Sequence, residues 1–98
     1  MMQLPETVKV GPITFAVREV DLIDDLPLRM GSFNSATAEI LIKATLPDDV
    51  KLVTFWHEAI HAMLDMTGQK QSERMIDALS HGLVGLFEAN DWRIESNG

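Results

Sequence analysis

Two histidines four residues apart, His57 and His61, enclose Glu58 in the segment HEAIH. That spacing brings both imidazoles to one side only if the segment is an α-helix, where positions i and i+4 lie one turn apart on one face. The flanks agree with a helix. From Val50 to Met66 apolar residues recur on most sides, as Leu52, Val53, Phe55, Trp56, Ala59, Ile60, Met63 and Leu64. A helix apolar nearly all round must be covered by neighbours on several sides. Thr45, Asp48 and Asp49 cluster around Pro47 where it should start, and acids there suit the positive end of the helix dipole. Gly68 is the expected C-cap.

A second helix is expected from Ser72, its N-cap, toward Asn90, with Met75, Ile76, Leu79, Leu83, Leu86 and Phe87 as its apolar stripe. Gly82 and Gly85 within it would permit close approach of another backbone. The connection from Thr67 to Gln71 is short enough to make the two helices antiparallel neighbours.

The first half of the chain has a different period. Val8 and Val10 alternate, Gly11-Pro12 signals a turn, and Ile13, Phe15 and Val17 alternate with Thr14, Ala16 and Arg18, which reads as strands with one buried face. Glu19 to Met30 has no clean period and reads as a connection with room for a short helical turn. Met30 to Lys43 reads as a hairpin. Gly31, Asn34, Ser35 and Thr37 supply turn chemistry, and Ala38, Ile40 and Ile42 alternate with Glu39, Leu41 and Lys43. The fold class is therefore α+β: a small antiparallel or mixed N-terminal sheet packed on two antiparallel helices. The strand ending at Ile42 is a candidate edge, against which an extended peptide can add.

Length allows a single domain over residues 1–98, with the tail from about residue 93 expected to be loose. A hydrophobic fraction of 46% argues against disorder. The net charge of −7 makes the chain a poor nucleic-acid binder, because neutralising phosphates dominates that affinity. The sequence has no basic, apolar leader and no apolar run near 18 residues, so neither secretion nor a membrane span is expected, and cytoplasm is the default.

On one helix face, His57 and His61 can reach a single metal ion, and Glu58 beside them can take a proton from a metal-bound water without serving as a ligand. The chain has no cysteine, so a zinc site must use histidine and carboxylate ligands. A hydrolytic zinc needs a third protein ligand and an open water position. The second helix offers Glu73 and Asp77, one turn apart. Level-matching of antiparallel helices favours Asp77, whereas the longer reach of a glutamate favours Glu73, and spacing alone leaves both open.

HEAIH followed by a helix reading Glu73-Arg-Met-Ile-Asp77 resembles the glutamate-zincin pattern HExxH…ExxxD. Over roughly Gly31 to Asn90 the chain is similar to the small metallopeptidase-like proteins of phages and mobile elements, including the family that cleaves phage and stress-response repressors. The resemblance implies a minimal zincin-like fold binding Zn2+, with His57, His61 and Glu73 as ligands, Glu58 as general base and Asp77 hydrogen-bonded to a ligand histidine. It implies a protein or peptide substrate and a setting in a bacterial or phage-infected cell. The chain departs from the pattern in places. Only 11 residues separate His61 from Glu73, Leu79-Ser80 stands where the repressor-cleaving family often has Phe-Ala, and no helix-turn-helix is expected within these residues. Without tyrosine, the oxyanion donor of some zincins is missing. His81, one turn beyond Asp77, is the candidate replacement, or else a surface histidine. The competing expectation is a zincin-fold module that binds a protein without cleaving it.

Overall fold

A computed structural model describes residues 3–90; the expectation for the tail from about residue 93 lies outside the described residues. Strands β1 (Thr7–Val10), β2 (Ile13–Val20), β3 (Gly31–Asn34) and β4 (Glu39–Lys43) precede helices α1 (Asp48–Thr67) and α2 (Glu73–Ala89), an α+β architecture. The sheet order is β1-β2-β4-β3. β1 and β2 form an antiparallel hairpin, β3 and β4 form another, and the two join through parallel pairing of β2 with β4.

This order corrects the expected edge. β4 is interior, which its residues explain: Ile40 and Ile42 are both fully buried on the face toward α1. The edges are β1 and β3, the latter a short strand ending in the exposed Asn34, whose side chain accepts from the amides of Ala36 and Thr37 to make the turn into β4. The other sheet face is solvated and carries the Arg18–Glu39 ion pair at 2.9 Å.

The stretch between β2 and β3 contains no helical turn among the described residues. Asp24 and Asp25 take left-handed backbone angles (φ 51° and 56°), and Ile23 bridges Leu26 across them. Consecutive positive-φ positions make a tight reversal that suits Asp better than most residues. The fully buried Ile23 anchors it.

α1 lies across the sheet and buries Phe55, Ala59 and Ala62 against Val10, Phe15, Ile40 and Ile42. Its opposite side holds α2, through Leu52 against Val84 and through Trp56 stacked on Phe87 with ring centroids 5.5 Å apart. Neighbours on two sides are what its nearly all-round apolar pattern requires. Gly68 caps α1 in the left-handed conformation, and the Ser72 side chain accepts from the Met75 amide to cap α2.

The expected apolar stripe of α2 needs correction. Only Ile76, Ser80 and Val84 are buried, while Met75, Leu79 and Leu86 are 48–59% exposed. Among the described residues α2 packs against α1 and against no strand, so a narrow stripe suffices to seat it. No neighbouring backbone approaches Gly82 or Gly85 among the described residues: a Cβ placed at each would meet none of their atoms within 4 Å.

Candidate metal centre

Three donor side chains converge where α1 faces the first turns of α2. His57 Nε2 lies 3.1 Å from His61 Nε2 and 3.1 Å from Glu73 Oε2, and His61 Nε2 lies 2.6 Å from Glu73 Oε1. Ligands held about 2.0–2.1 Å from a tetrahedral ion stand roughly 3.3 Å from one another, so this cluster has the dimensions of a half-built coordination shell. The i, i+4 spacing supplies the two imidazoles from one face of α1, and the Ser72 cap starts α2 so that Glu73 projects toward them.

The outer ring nitrogens identify the tautomers. His57 Nδ1 stands 2.7 Å from Asp77 Oδ1, and His61 Nδ1 is hydrogen-bonded to Gln71 Oε1. Both partners are acceptors, so each imidazole donates outward from Nδ1 and turns its Nε2 lone pair inward. Two lone pairs and a carboxylate then meet within about one contact distance. With both Nε2 atoms unprotonated, that convergence of electron-rich atoms is repulsive unless a proton or a metal ion sits among them, and the residues present fit a metal ion. Phe33 of β3 stacks on the His61 ring at 6.0 Å and 14°, fixing it from the sheet side.

Glu58 lies next in sequence to His57 but points toward the sheet and is 8% exposed. Burial raises its pKa above the usual 4.5, against the opposing pull of His57, His61 and Arg29, while Glu73 pushes it further up. Its neighbour across the interface is Gly31 on the edge strand. A Cβ there would stand 2.6 Å from Thr54 Cγ2 and 3.1 Å from Glu58 Cγ, so only glycine lets β3 approach α1 this closely.

The cluster forms one wall of an open cleft of about 850 Å³, which runs from β3 and the preceding Arg29 and Met30 to His81 and Val84 on α2. His57, Glu58, His61, Glu73, Asp77 and His81, all singled out from sequence, line it together. Glu73 and Asp77 divide the two roles that spacing left open: Glu73 joins the inner donors and Asp77 supports His57 from outside. His81 Nδ1 bonds the Asp77 carbonyl at 2.9 Å, so its Nε2 can donate to an oxyanion only in the imidazolium form.

Two residues of the site escape a sequence reading. Gln71 sits in the helix connection, where a polar residue before an N-cap looks like ordinary loop chemistry. Arg29 holds its Nε on the Gly31 carbonyl at 3.2 Å and brings a permanent positive charge to the cleft beside Glu58. Its signal was faint: it is the sole basic residue between Val20 and β3. Compared with models of known protein families, with curated proteins and with solved structures, the chain matches none of them.

Proposed function

We propose that this protein is a zinc-dependent hydrolase of peptide or amide bonds. The observation that carries the reading is the convergence of His57, His61 and Glu73 donor atoms within 4.8 Å of one another, beside the buried carboxylate of Glu58 and open to the cleft. The donor set selects zinc: imidazole suits several transition metals, but two histidines and a glutamate with an open fourth position are a common arrangement for hydrolytic zinc.

Bound zinc supplies a Lewis acid and a water acidified toward pH ~7. Glu58 would be the group that accepts a proton from the attacking water and returns it to the leaving amine, a task helped by the rise that burial gives its carboxyl pKa. Asp77 and Gln71 hold the two imidazoles in one tautomer and orientation throughout. Arg29 and, when protonated, His81 are the cations of the cleft that can face the charge developing on the substrate carbonyl. The free side of edge strand β3 offers backbone groups to an extended peptide, which favours a protein or peptide substrate.

The net charge of −7 argues against nucleic acid as the substrate. No helix among the described residues is long and apolar enough to cross a membrane. The motif resemblance favours the cytoplasm of a bacterial or phage-infected cell.

The test is cleavage with Glu58→Gln as control. Zinc-loaded wild type is incubated with casein, an unstructured protein, and with a peptide library, and new termini are counted by mass spectrometry. New termini that vanish in Glu58→Gln, with zinc content unchanged, support the hydrolase. If wild type leaves both substrates intact, the reading gives way to a zincin-fold module that binds a protein without cutting it.

A further inference from the structure

The free side of β3 changes its hydrogen-bonding character along its length. The Lys43 amide donates to the Met30 carbonyl, and the register pairs Gly31 with Ile42 and Phe33 with Ile40. In an antiparallel pair, residues alternate between bonding the partner strand and turning away from it. Met30, Ser32 and Asn34 therefore bond β4, while Gly31 and Phe33 turn their N–H and C=O groups to the open side of the sheet. Both of these residues line the cleft. Phe33 lies at the level of His61, on which it stacks, and Gly31 at the level of Thr54 and Glu58.

At Phe33 the edge offers one donor and one acceptor, which a residue inside an added strand matches. At Gly31 the acceptor is already engaged, because Arg29 Nε donates to the Gly31 carbonyl at 3.2 Å. An incoming chain meets donors there: the Gly31 amide and the two terminal nitrogens of Arg29. Among the described residues no carboxylate comes closer to this guanidinium than Asp24, whose Oδ2 lies 4.0 Å from Nε. Glu58 packs on the side-chain face of Gly31, at right angles to the direction of the strand's hydrogen bonds.

We propose that Arg29 and the Gly31 amide form a carboxylate site at one end of the cleft, which selects extended peptides bearing a carboxylate at that level. This inference rests on the reading of the cleft as a peptide site and narrows it. A carboxylate brings acceptors only, and the guanidinium fork matches it bidentately. Charge agrees: Arg29 is the sole lysine or arginine among the described residues of the cleft. Of the cleft's own carboxylates, Glu73 and Asp77 contact the imidazoles and Asp49 accepts from the Val50 amide. Antiparallel addition, the more stable pairing, runs a peptide from Phe33 toward Gly31. The carboxylate then belongs to the C-terminal side of the peptide, as its free C-terminus or as an acidic side chain. An Arg29 engaged in this way leaves protonated His81 to face the charge developing on the substrate carbonyl.

Titration of acetylated tetraalanine into the isotope-labelled full chain without added metal tests the site, followed through backbone amide and arginine Nε–H resonances. The peptide is used as the free acid, as the C-terminal amide, and as the amide with its last alanine replaced by glutamate. The acid or the glutamate form should bind roughly tenfold tighter than the plain amide, shifting the Gly31 amide. Preference for the acid alone assigns the site to a C-terminus, and preference for the glutamate form alone to a side chain. Arg29→Gln should abolish the preference. Arg29→Lys should keep part of it, since an ammonium supplies the charge without the fork. Equal binding of all three forms overturns the proposal. So does a preference that survives Arg29→Gln, or a Gly31 amide that no form shifts at millimolar concentration. Cleavage by zinc-loaded protein is scored separately. If the preference holds and nothing is cut, the hydrolase reading fails and the carboxylate site stands; cleavage without the preference is the reverse.

Discussion

His57 and Asp77 are joined by a 2.7 Å contact from the ring Nδ1 to the carboxylate, on the side of the imidazole away from the converging donor atoms. One carboxylate of α2 thus faces the converging imidazole nitrogens while the next, one turn on, holds the His57 ring from behind. A carboxylate behind a metal-binding histidine fixes its tautomer and raises its basicity, and losing it typically weakens metal binding by about 10–100-fold.

This division of labour makes a ranked expectation for zinc affinity. Asp77→Asn and Gln71→Ala should each weaken binding within that range, because each removes one outer partner. Glu73→Gln should cost more, since it removes a charged ligand. Competition titration against a chromogenic chelator gives all three affinities. If Asp77→Asn were the most damaging change, Asp77 rather than Glu73 would be the third ligand.

A metal held by His57, His61 and Glu73 would also link the packing of α1 and α2. Zinc that binds only the folded chain stabilises it by about 2.7 kcal/mol at a free concentration 100 times Kd. For a chain of this size, Tm should rise by roughly 4–8 °C for each kcal/mol. The rise should disappear in His57→Ala and His61→Ala, and a chelator should abolish it in wild type. An unchanged melting curve at saturating zinc would mean that the metal does not hold the helices together.

The sequence carried the parts of this arrangement that rest on local chemistry. HEAIH, the Gly68 and Ser72 caps and the alternation of Ile40 with Ile42 each follow from a period or a turn within a few residues. Placement of β4 inside the sheet did not follow, because parallel pairing with β2 joins residues more than twenty positions apart and leaves no local mark. The exposure of Met75, Leu79 and Leu86 was hidden for a related reason. A hydrophobic stripe reveals that a helix has an apolar face, but not that its fold covers only one edge of it. Arg29 and Gln71 reach the site through loops, where periodicity is silent.

Gly31 is expected to tolerate no side chain. Gly31→Ala drives a methyl into Thr54 and Glu58 and should destabilise the chain by about 1–3 kcal/mol, as overpacking does. Thermal melts should show the loss, and Thr54→Ala in the same chain should restore part of it by removing the Cγ2 methyl 2.6 Å away. A wild-type Tm for Gly31→Ala would show that β3 is free to move off α1, and Glu58 would then lose its cover.

The burial of Glu58 sets a pH-dependent cost in the metal-free protein. Desolvation raises its pKa above 4.5, with Glu73 adding to the rise, so the folded chain holds the proton more tightly than the unfolded chain does. Below about pH 4.5 the carboxyl is neutral in both states and costs nothing extra. As pH rises through the folded pKa, the anion must be kept buried, and stability falls. Glu58→Gln keeps the shape and never ionises. Metal-free Glu58→Gln should therefore melt higher than metal-free wild type at pH 7, and the gap should close as pH is lowered toward 4. Melts in chelator across that range, read as the difference between the two proteins, measure it. A gap that widens toward acid would mean that His57, His61 and Arg29 outweigh burial and hold Glu58 ionised, leaving it a weaker base for the proposed chemistry.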